Sequence, residues 1–194
     1  MLIAIALFPE VEELDFAGPW EVLSAWSRLA PDDGVEVVTV AQAAGPLVCA
    51  KGLTVVPERT WAETGSVDVL VLPGGRGTRP LLADGPFLDR LRQLAAAGTL
   101  MTSVCTGSLV YAGARLLEGR PATTHWASLD ELRRLGTGID VRPDDRFVDA
   151  GEIVTASGVS AGIDMALHLV ARLHSVERAR QVRRYIQYDP QPPV

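Results

Sequence analysis

The feature that most constrains the fold is a regular alternation of strand-length apolar runs with longer amphipathic runs. The strand-length runs lie at 2–8, 35–40, 67–72 and 99–104. They are apolar at most positions, which is typical of strands buried on both faces of a parallel sheet. The amphipathic runs predict helices at 19–29, 86–97, 106–114, 126–135, 163–173 and 177–188. Because strands that alternate with helices predict βαβ units, we expect an α/β fold with a mainly parallel central sheet flanked by helices.

Shorter segments predict two hairpins, one short strand and an extended C-terminal tail. Two glycine-containing turns each predict a β-hairpin, between 47–50 and 53–56 and between 147–149 and 152–155. Pro19 is expected in the first turn of the first helix, where its missing N–H has no cost. A short strand is predicted at 122–124, and the proline-rich tail at 189–194 is expected to be extended.

Length and composition predict one folded domain over residues 1–194. Hydrophobic residues make up 47% of the chain and charged residues 22%, which is typical of a globular protein with a full core. Together with the alternation of strands and helices, this indicates a flavodoxin-like sandwich. The net charge is −6 and the one basic cluster, at 178–184, has the spacing of a solvated helix face. Nucleic acid is therefore not expected as a partner, because phosphate binding requires clustered cations.

The apolar runs and the two cysteines indicate in which cellular environment the protein is expected. No apolar run reaches the roughly 20 residues that a membrane helix needs, so no membrane association is expected. The apolar N-terminus lacks a basic lead-in and is followed by Pro9, which favours a buried first strand over a signal peptide. Cys49 and Cys105 lie far apart, which suits a reducing cytoplasm better than a disulfide framework. Without a CxxC pair or a His/Cys cluster, no metal site is expected.

Cys105 lies in the segment "TSVCTGSLV" (102–110), where a predicted strand meets a predicted helix. Unpaired N–H groups at the start of a helix stabilise a thiolate, so a lowered thiol pKa is expected there. Gly107 permits a sharp turn like that of a nucleophile elbow. The pattern favours Cys105 as a nucleophile, although a small buried core cysteine also fits it. Cys49 lies inside a strand pattern and is expected to be structural.

The turn Pro73-Gly74-Gly75 ends another buried strand, and binding sites of such sheets gather at the carboxyl ends of strands. Without Cβ atoms, Gly74 and Gly75 let backbone N–H groups face a bound substrate, as in an oxyanion hole. A turn that requires positive φ also accounts for them, and both interpretations can hold together.

The segment "TSVCTGSLVYAGARLLEGRPATTHWA" (102–127) resembles the ThiJ/PfpI superfamily, a branch of the class I glutamine-amidotransferase-like fold. The resemblance extends over nearly the whole chain, through "FPEVEELDFAGPWEVL" (8–23), "VLVLPGGRGTRPLL" (69–82), "SGVSAGIDMAL" (157–167) and "YIQYDPQPP" (185–193). The combination of "SVCTGSL" with "TTHWA" is similar to the isonitrile hydratase branch of the superfamily.

The resemblance implies roles for particular residues. Cys105 matches the nucleophile, and Asp15 matches the acidic residue that approaches it, which is aspartate in hydratases and glutamate in most other members. Thr106 stands where protease-like members carry histidine, which counts against peptidase activity. His125 is the remaining candidate base, with a structural role as the alternative. Without the resemblance, Asp15 would be interpreted as a loop residue or a helix cap.

The resemblance also implies which residues surround the cysteine. Gly158, Val159 and Ser160 match the hydratase segment that faces it, although Ser157 stands where a further glycine is expected. Trp20 and Trp126 are candidate walls of the substrate pocket or residues of the core. These expectations give the candidate site: catalytic Cys105, Asp15 and Thr106, and substrate-binding Gly74, Gly75, Trp126, Gly158, Val159 and Ser160.

The function implied by the resemblance is hydration of an isonitrile to an N-substituted formamide through a thioimidate on Cys105. This chemistry needs a small-molecule substrate and no cofactor, and the superfamily leads us to expect a homodimer. The alternatives are a glyoxalase-like enzyme acting on reactive aldehydes, a ligand-sensing protein and a redox-responsive protein in which Cys105 is oxidised. Regulators of the superfamily carry a helix-turn-helix segment, which is not expected in a chain that ends at Val194.

Overall fold

The computed structural model describes residues 1–191, so the last part of the predicted extended tail, 192–194, lies outside the described residues. Its centre is a seven-stranded sheet, accompanied by two small two-stranded sheets. The strands are β1 (Leu2–Ala6), β2 (Glu36–Ala41), β3 (Leu47–Val48), β4 (Thr54–Val55), β5 (Arg59–Thr60), β6 (Val69–Leu72), β7 (Leu100–Val104), β8 (Pro121–Ala122), β9 (Asp140–Val141), β10 (Phe147–Asp149) and β11 (Ile153–Ala156).

Helices cover the sheet in two groups. The helices are α1 (Glu13–Leu29), α2 (Trp61–Thr64), α3 (Thr78–Leu81), α4 (Gly85–Ala96), α5 (Gly107–Gly113), α6 (Leu129–Leu135), α7 (Ala161–Leu173) and α8 (Val176–Tyr185). Helices α1, α7 and α8 pack against one another, whereas α5 packs against α3, α4 and α6. The predicted α/β fold, with a mostly parallel sheet flanked by helices, is confirmed.

The strand order explains why several loops meet at one edge. The large sheet runs β10-β11-β7-β6-β1-β2-β5, and all of its neighbouring pairs are parallel except β10 with β11. The carboxyl ends of β11, β7, β6 and β1 are therefore side by side. The loops that follow these four strands form one continuous rim, which is where binding sites of open parallel sheets lie.

The central strands are buried because their side chains are apolar on both faces. Residues 3–6 of β1 and 69–72 of β6 are all buried, and Ile3 lies opposite Val37 and Val69 in the parallel register. Burial of such side chains stabilises the fold by about 1.5–3 kcal/mol each. The helical layers on either side complete a core that holds the rim loops in place.

The start of the first helix differs from the prediction. The helix begins at Glu13, not near Pro19, which is buried inside it. A proline in a helix interior removes one backbone hydrogen bond, so local preference disfavours this position. Packing against α7 compensates for this lost hydrogen bond. The proline ring lies close to Gly162, since a Cβ on that glycine would be only 3.1 Å from Cγ of Pro19. The earlier start places Asp15 in the first turn of α1.

The remaining boundaries follow the sequence pattern closely, with differences at short elements. Both predicted hairpins are present, as β3–β4 and β10–β11. The predicted helix at 126–135 divides into a 3₁₀ turn, Trp126–Ser128, followed by α6, and α8 ends at Tyr185. The predicted strand at 122–124 ends earlier, as β8. Within residues 1–191, no helix combines the length and the apolar character needed to cross a bilayer.

Candidate active site

Cys105 occupies a sharp turn between β7 and α5. Its φ is +55°, in the left-handed region that residues other than glycine seldom adopt. The turn is held from both sides. The Cys105 N–H donates to the carbonyl oxygens of Ala156 (3.1 Å) and Ser157 (3.0 Å), and its carbonyl oxygen accepts from the hydroxyls of Ser108 (3.1 Å) and Thr124 (2.9 Å). This network fixes the direction of the thiol, which is 6% exposed.

Gly107, at the start of α5, makes the turn possible. A Cβ at this position would lie 2.2 Å from the carbonyl oxygen of Leu72 at the end of β6. Any side chain would therefore separate α5 from the neighbouring strand. The close approach keeps Cys105 next to the loop that follows β6.

Asp15 is fully buried beside this turn. Its Oδ2 atom accepts a hydrogen bond from the Gly74 N–H (2.8 Å), whereas its Oδ1 atom has no hydrogen-bond partner within residues 1–191. Burial raises the pKa of Asp15 to about 7, against the opposing effect of the Gly74 hydrogen bond. One oxygen is thus anchored, and the carboxyl group can exchange a proton near neutral pH.

The Cys105 thiol is protonated at rest. Burial raises its pKa to about 12, and the negative charge of Asp15 acts in the same direction. The backbone N–H groups of Thr106 and Val159 act in the opposite direction but do not compensate for burial. The expectation of a lowered thiol pKa is therefore wrong, because a helix of seven residues cannot offset loss of solvent next to a carboxylate.

Thr106 supports the loop that follows β6. Its hydroxyl oxygen accepts from the Gly75 N–H (3.0 Å) and lies 3.3 Å from the Thr78 hydroxyl. Gly75 has φ of +116°, and a Cβ there would lie 2.4 Å from the carbonyl oxygen of Glu10. The N–H groups of Gly74 and Gly75 are therefore used inside the protein. They hold Asp15 and Thr106 and do not project as the free oxyanion donors that the sequence suggested.

A cavity of about 510 Å³ opens above the cysteine, within the range of small-molecule sites. It lies between the rim loops and the β3–β4 hairpin. Its lining residues are Glu12, Ala50, Lys51, Gly75, Arg76, Arg79, Cys105, Thr106, His125 and Val159. The candidate nucleophile is thus accessible from a pocket that a small molecule can enter.

Four charged lining residues, Glu12, Lys51, Arg76 and Arg79, were not identified from the sequence. Lys51 reaches the cavity from the turn of the β3–β4 hairpin and forms an ion pair with Glu12. Arg76 and Arg79 follow the Pro73-Gly74-Gly75 turn. The glycines marked this loop as functional, but charged residues beside a turn are usually solvated. Only the folded arrangement shows that these residues line the same cavity as the cysteine.

The segment after β11 divides between the cavity and its surroundings. Val159 lines the cavity with φ of +47°, which is a strained conformation for a β-branched residue. Gly158 packs under the His125 ring, since a Cβ there would lie 2.5 Å from Cδ2 of His125. Ser160 is exposed and its hydroxyl accepts from Arg146 (3.0 Å), so it does not line the cavity as expected.

His125 lines the cavity and also ends a 3₁₀ turn. Its Nδ1 atom accepts from the Ala127 N–H (3.2 Å), which places the proton of the neutral ring on Nε2. Trp126 is 77% exposed and lies outside this cavity, so it is neither the pocket wall nor the core residue expected. Trp20 is half-buried and packs against the core without lining the cavity.

The second cysteine has none of these features. Cys49 is buried and, like Cys105, is a free thiol. Burial raises its pKa, and it does not line the cavity. Within residues 1–191, no group of three or more His, Cys, Asp or Glu side chains is arranged to hold a metal ion.

Comparisons with known proteins identify the family to which this chain belongs. The sequence profile of the DJ-1/PfpI family matches residues 1–172. Isonitrile hydratase from Pseudomonas putida is 42% identical over 191 residues, covering 98% of this chain and 80% of that protein. The transcriptional regulator CdhR from Pseudomonas aeruginosa is 33% identical over 71% of this chain and 40% of its own length.

The fold shows the same relationship. The crystal structure of a ThiJ/PfpI family protein from Pseudomonas syringae superposes with a TM-score of 0.89 and 31% identity. The superposition covers all of this chain and 77% of that one. Family match, identity and superposition lead to one conclusion: the chain belongs to the DJ-1/PfpI family.

Proposed function

We propose that the protein hydrates isonitriles to N-substituted formamides, with Cys105 as nucleophile and Asp15 as proton carrier. The observation that carries this proposal is the buried Asp15 carboxyl beside a cysteine that lines a cavity. The 42% identity to an isonitrile hydratase over nearly the whole chain supports the choice of substrate class.

Asp15 has the properties that a proton carrier needs. A group with a pKa near the working pH both accepts and releases a proton readily, and burial places the pKa of Asp15 at about 7. Its Oδ2 atom is fixed by Gly74, whereas Oδ1 has no partner in residues 1–191 and is available to the thiol proton. The raised pKa of Cys105 means that this proton leaves only as sulfur attacks.

The first half of the reaction adds the thiol across the isonitrile carbon. Sulfur of Cys105 forms a bond to the terminal carbon of R–N≡C while Asp15 takes the thiol proton. Asp15 then delivers this proton to the same carbon. The product is a thioimidate, R–N=CH–S, attached to Cys105, and the carboxylate is regenerated.

The second half adds water and releases the product. Asp15 takes a proton from water as the oxygen bonds to the thioimidate carbon, and delivers that proton to the nitrogen, which regenerates the carboxylate. The resulting R–NH–CH(OH)–S adduct collapses, the carbon–sulfur bond breaks, and the hydroxyl proton returns to sulfur through Asp15. The sum is R–N≡C plus water giving R–NH–CHO, with Cys105 as a thiol again.

The test follows loss of an aromatic isonitrile and appearance of its formamide. Cys105→Ala is expected to abolish turnover, and Asp15→Asn to lower it at least about 100-fold, as expected for loss of a general acid–base group. Cys49→Ala is the matched control because it removes the other buried thiol outside the cavity. Formamide production by the Cys105→Ala protein would refute the covalent mechanism.

The resemblance to the regulator CdhR favours ligand sensing without turnover as a second candidate. The same preparation distinguishes the two. A sensor would bind isonitrile or formamide without converting one into the other, and binding would survive Cys105→Ala. Assaying methylglyoxal in parallel tests the glyoxalase-like alternative, which predicts loss of aldehyde without any reaction of isonitriles.

A further inference from the structure

The cavity above Cys105 is lined mostly by polar residues, and most of its charged residues are cations. Among residues 1–191, three lining residues are basic, Lys51, Arg76 and Arg79, whereas one, Glu12, is acidic. Within the part of the chain that the structure describes, the aliphatic side chains in its wall are those of Ala50 and Val159, and no phenylalanine, tyrosine or tryptophan lines it. Apolar ligands are usually held by aliphatic and aromatic walls, so this lining favours a small polar substrate.

Two of the three cations already have partners. Lys51 forms ion pairs with Glu12 and, at 3.7 Å, with Glu13. Arg79 donates to Glu131 (2.6 Å) and to the Thr78 hydroxyl (3.0 Å). Their charges are therefore largely compensated within the protein.

Arg76 is different. Arg76 is exposed and lines the same cavity as Cys105, and its guanidinium group has no hydrogen-bond or ion-pair partner among residues 1–191. Arg76 directly follows Gly75, whose N–H is bonded to Thr106, so its backbone is fixed close to the turn that holds the cysteine. A planar guanidinium is suited to paired hydrogen bonds with a carboxylate.

We propose that Arg76 binds an acidic group of the substrate and thereby selects isonitriles that carry a carboxylate a short chain away from the reacting carbon. The inference rests on the proposed function for the reaction, but the anion site is a separate property of the cavity. Arg76 is a specificity residue, and Cys105 and Asp15 carry out the chemistry.

The first experiment compares potassium isocyanoacetate with methyl isocyanoacetate, which differ only in the charge and esterification of one end. The wild-type protein is expected to have the higher kcat/KM for the carboxylate. Arg76→Gln is expected to lower the carboxylate-to-ester ratio of kcat/KM by about 5- to 20-fold, as for loss of a partly exposed charged hydrogen bond.

The control is Arg28→Gln, which removes the same charge from an exposed residue in the last turn of α1. Arg28 lies 13 residues beyond Asp15 on α1, about 20 Å along the helix axis, so the ratio is expected to stay within twofold. An unchanged ratio in Arg76→Gln, or an equal fall in Arg28→Gln, would overturn the proposal.

The second experiment does not depend on isonitrile turnover. Iodoacetate and iodoacetamide both form a carbon–sulfur bond with the Cys105 thiolate and release iodide, but only iodoacetate is an anion. The ratio of their alkylation rates at Cys105, measured by peptide mass spectrometry, is independent of the thiolate fraction. Arg76→Gln is expected to lower the iodoacetate-to-iodoacetamide ratio about 5-fold or more.

The two experiments separate failure of the inference from failure of the proposed function. If the protein hydrates the ester but Arg76→Gln changes neither ratio, the proposed reaction is supported and the anion site is refuted. Absence of hydration for both isonitriles, together with a lowered alkylation ratio, refutes the reaction and retains the anion site.

Discussion

Asp15→Asn is expected to stabilise the folded protein while it lowers the proposed activity at least about 100-fold. Asn keeps the shape of the side chain and the acceptor for the Gly74 N–H, but it cannot ionise. The native protein, by contrast, must bury a carboxylate whose pKa rises from 3.8 to about 7 on folding. Removing an ionisable group that folding disfavours as an anion raises the free energy of unfolding.

The magnitude and its pH dependence follow from these two pKa values. Between pH 3.8 and 7 the unfolded chain has lost the proton that the folded protein still binds, so stability falls as pH rises through this window. At about 1.4 kcal/mol per pKa unit, the full cost above pH 7 is about 4 kcal/mol, and at pH 5 it is about 2 kcal/mol. The gain from Asp15→Asn is therefore expected to grow between pH 5 and pH 8.

The assay is urea unfolding of both proteins at pH 5, 6, 7 and 8. Asp149→Asn is the control of opposite sign. Although burial opposes it, the hydrogen bonds from His168 and the Gly151 N–H and the charge of Arg172 lower the pKa of Asp149. That substitution should destabilise the protein at pH 7. A gain from Asp15→Asn that is absent, or equal at pH 5 and pH 8, would refute the stated cost of burying the Asp15 charge.

Two further substitutions, Gly107→Ala and Thr106→Val, test how the turn around Cys105 is held, and each has a control variant. Gly107→Ala should lower the free energy of unfolding by at least about 2 kcal/mol, because its Cβ would meet the Leu72 carbonyl oxygen. Gly85→Ala, with open space around the new Cβ, should be neutral or slightly stabilising in the same urea titration; equal losses would contradict the contact. Thr106→Val should cost about 1–3 kcal/mol by leaving the Gly75 N–H unpaired, whereas Thr106→Ser should recover most of it. Equal stability of these two variants would show that the hydroxyl is not what holds Gly75.

Much of the scaffold was predictable because its signals are local. The runs at 67–72 and 99–104 both end at turns that contain glycine, and the burial of 69–72 on both faces matches its apolar composition. The position of Cys105 between strand and helix follows from the same pattern. Even the φ of +55° is consistent with the sharp turn that small neighbours permit.

The features that were missed depend on contacts between distant segments. Pro19 lies inside α1 because α7 offers it a glycine, which local propensity cannot indicate. The pKa of Cys105 is raised because the folded protein buries the thiol and places the Asp15 carboxyl beside it. Likewise, Lys51 and Arg76 are 25 positions apart in the chain and line one cavity only after the hairpin folds over the sheet rim.

Three consecutive residues, Gly74, Gly75 and Arg76, connect the acid, the cysteine turn and the cavity. Gly74 donates to Asp15, Gly75 donates to Thr106, and Arg76 lines the wall above them. Inserting or deleting a single amino acid here would shift every one of these attachments at once. Within this loop, variation in what the pocket accepts is therefore restricted to side-chain exchange at position 76, because a change in loop length would displace Asp15 and the Cys105 turn.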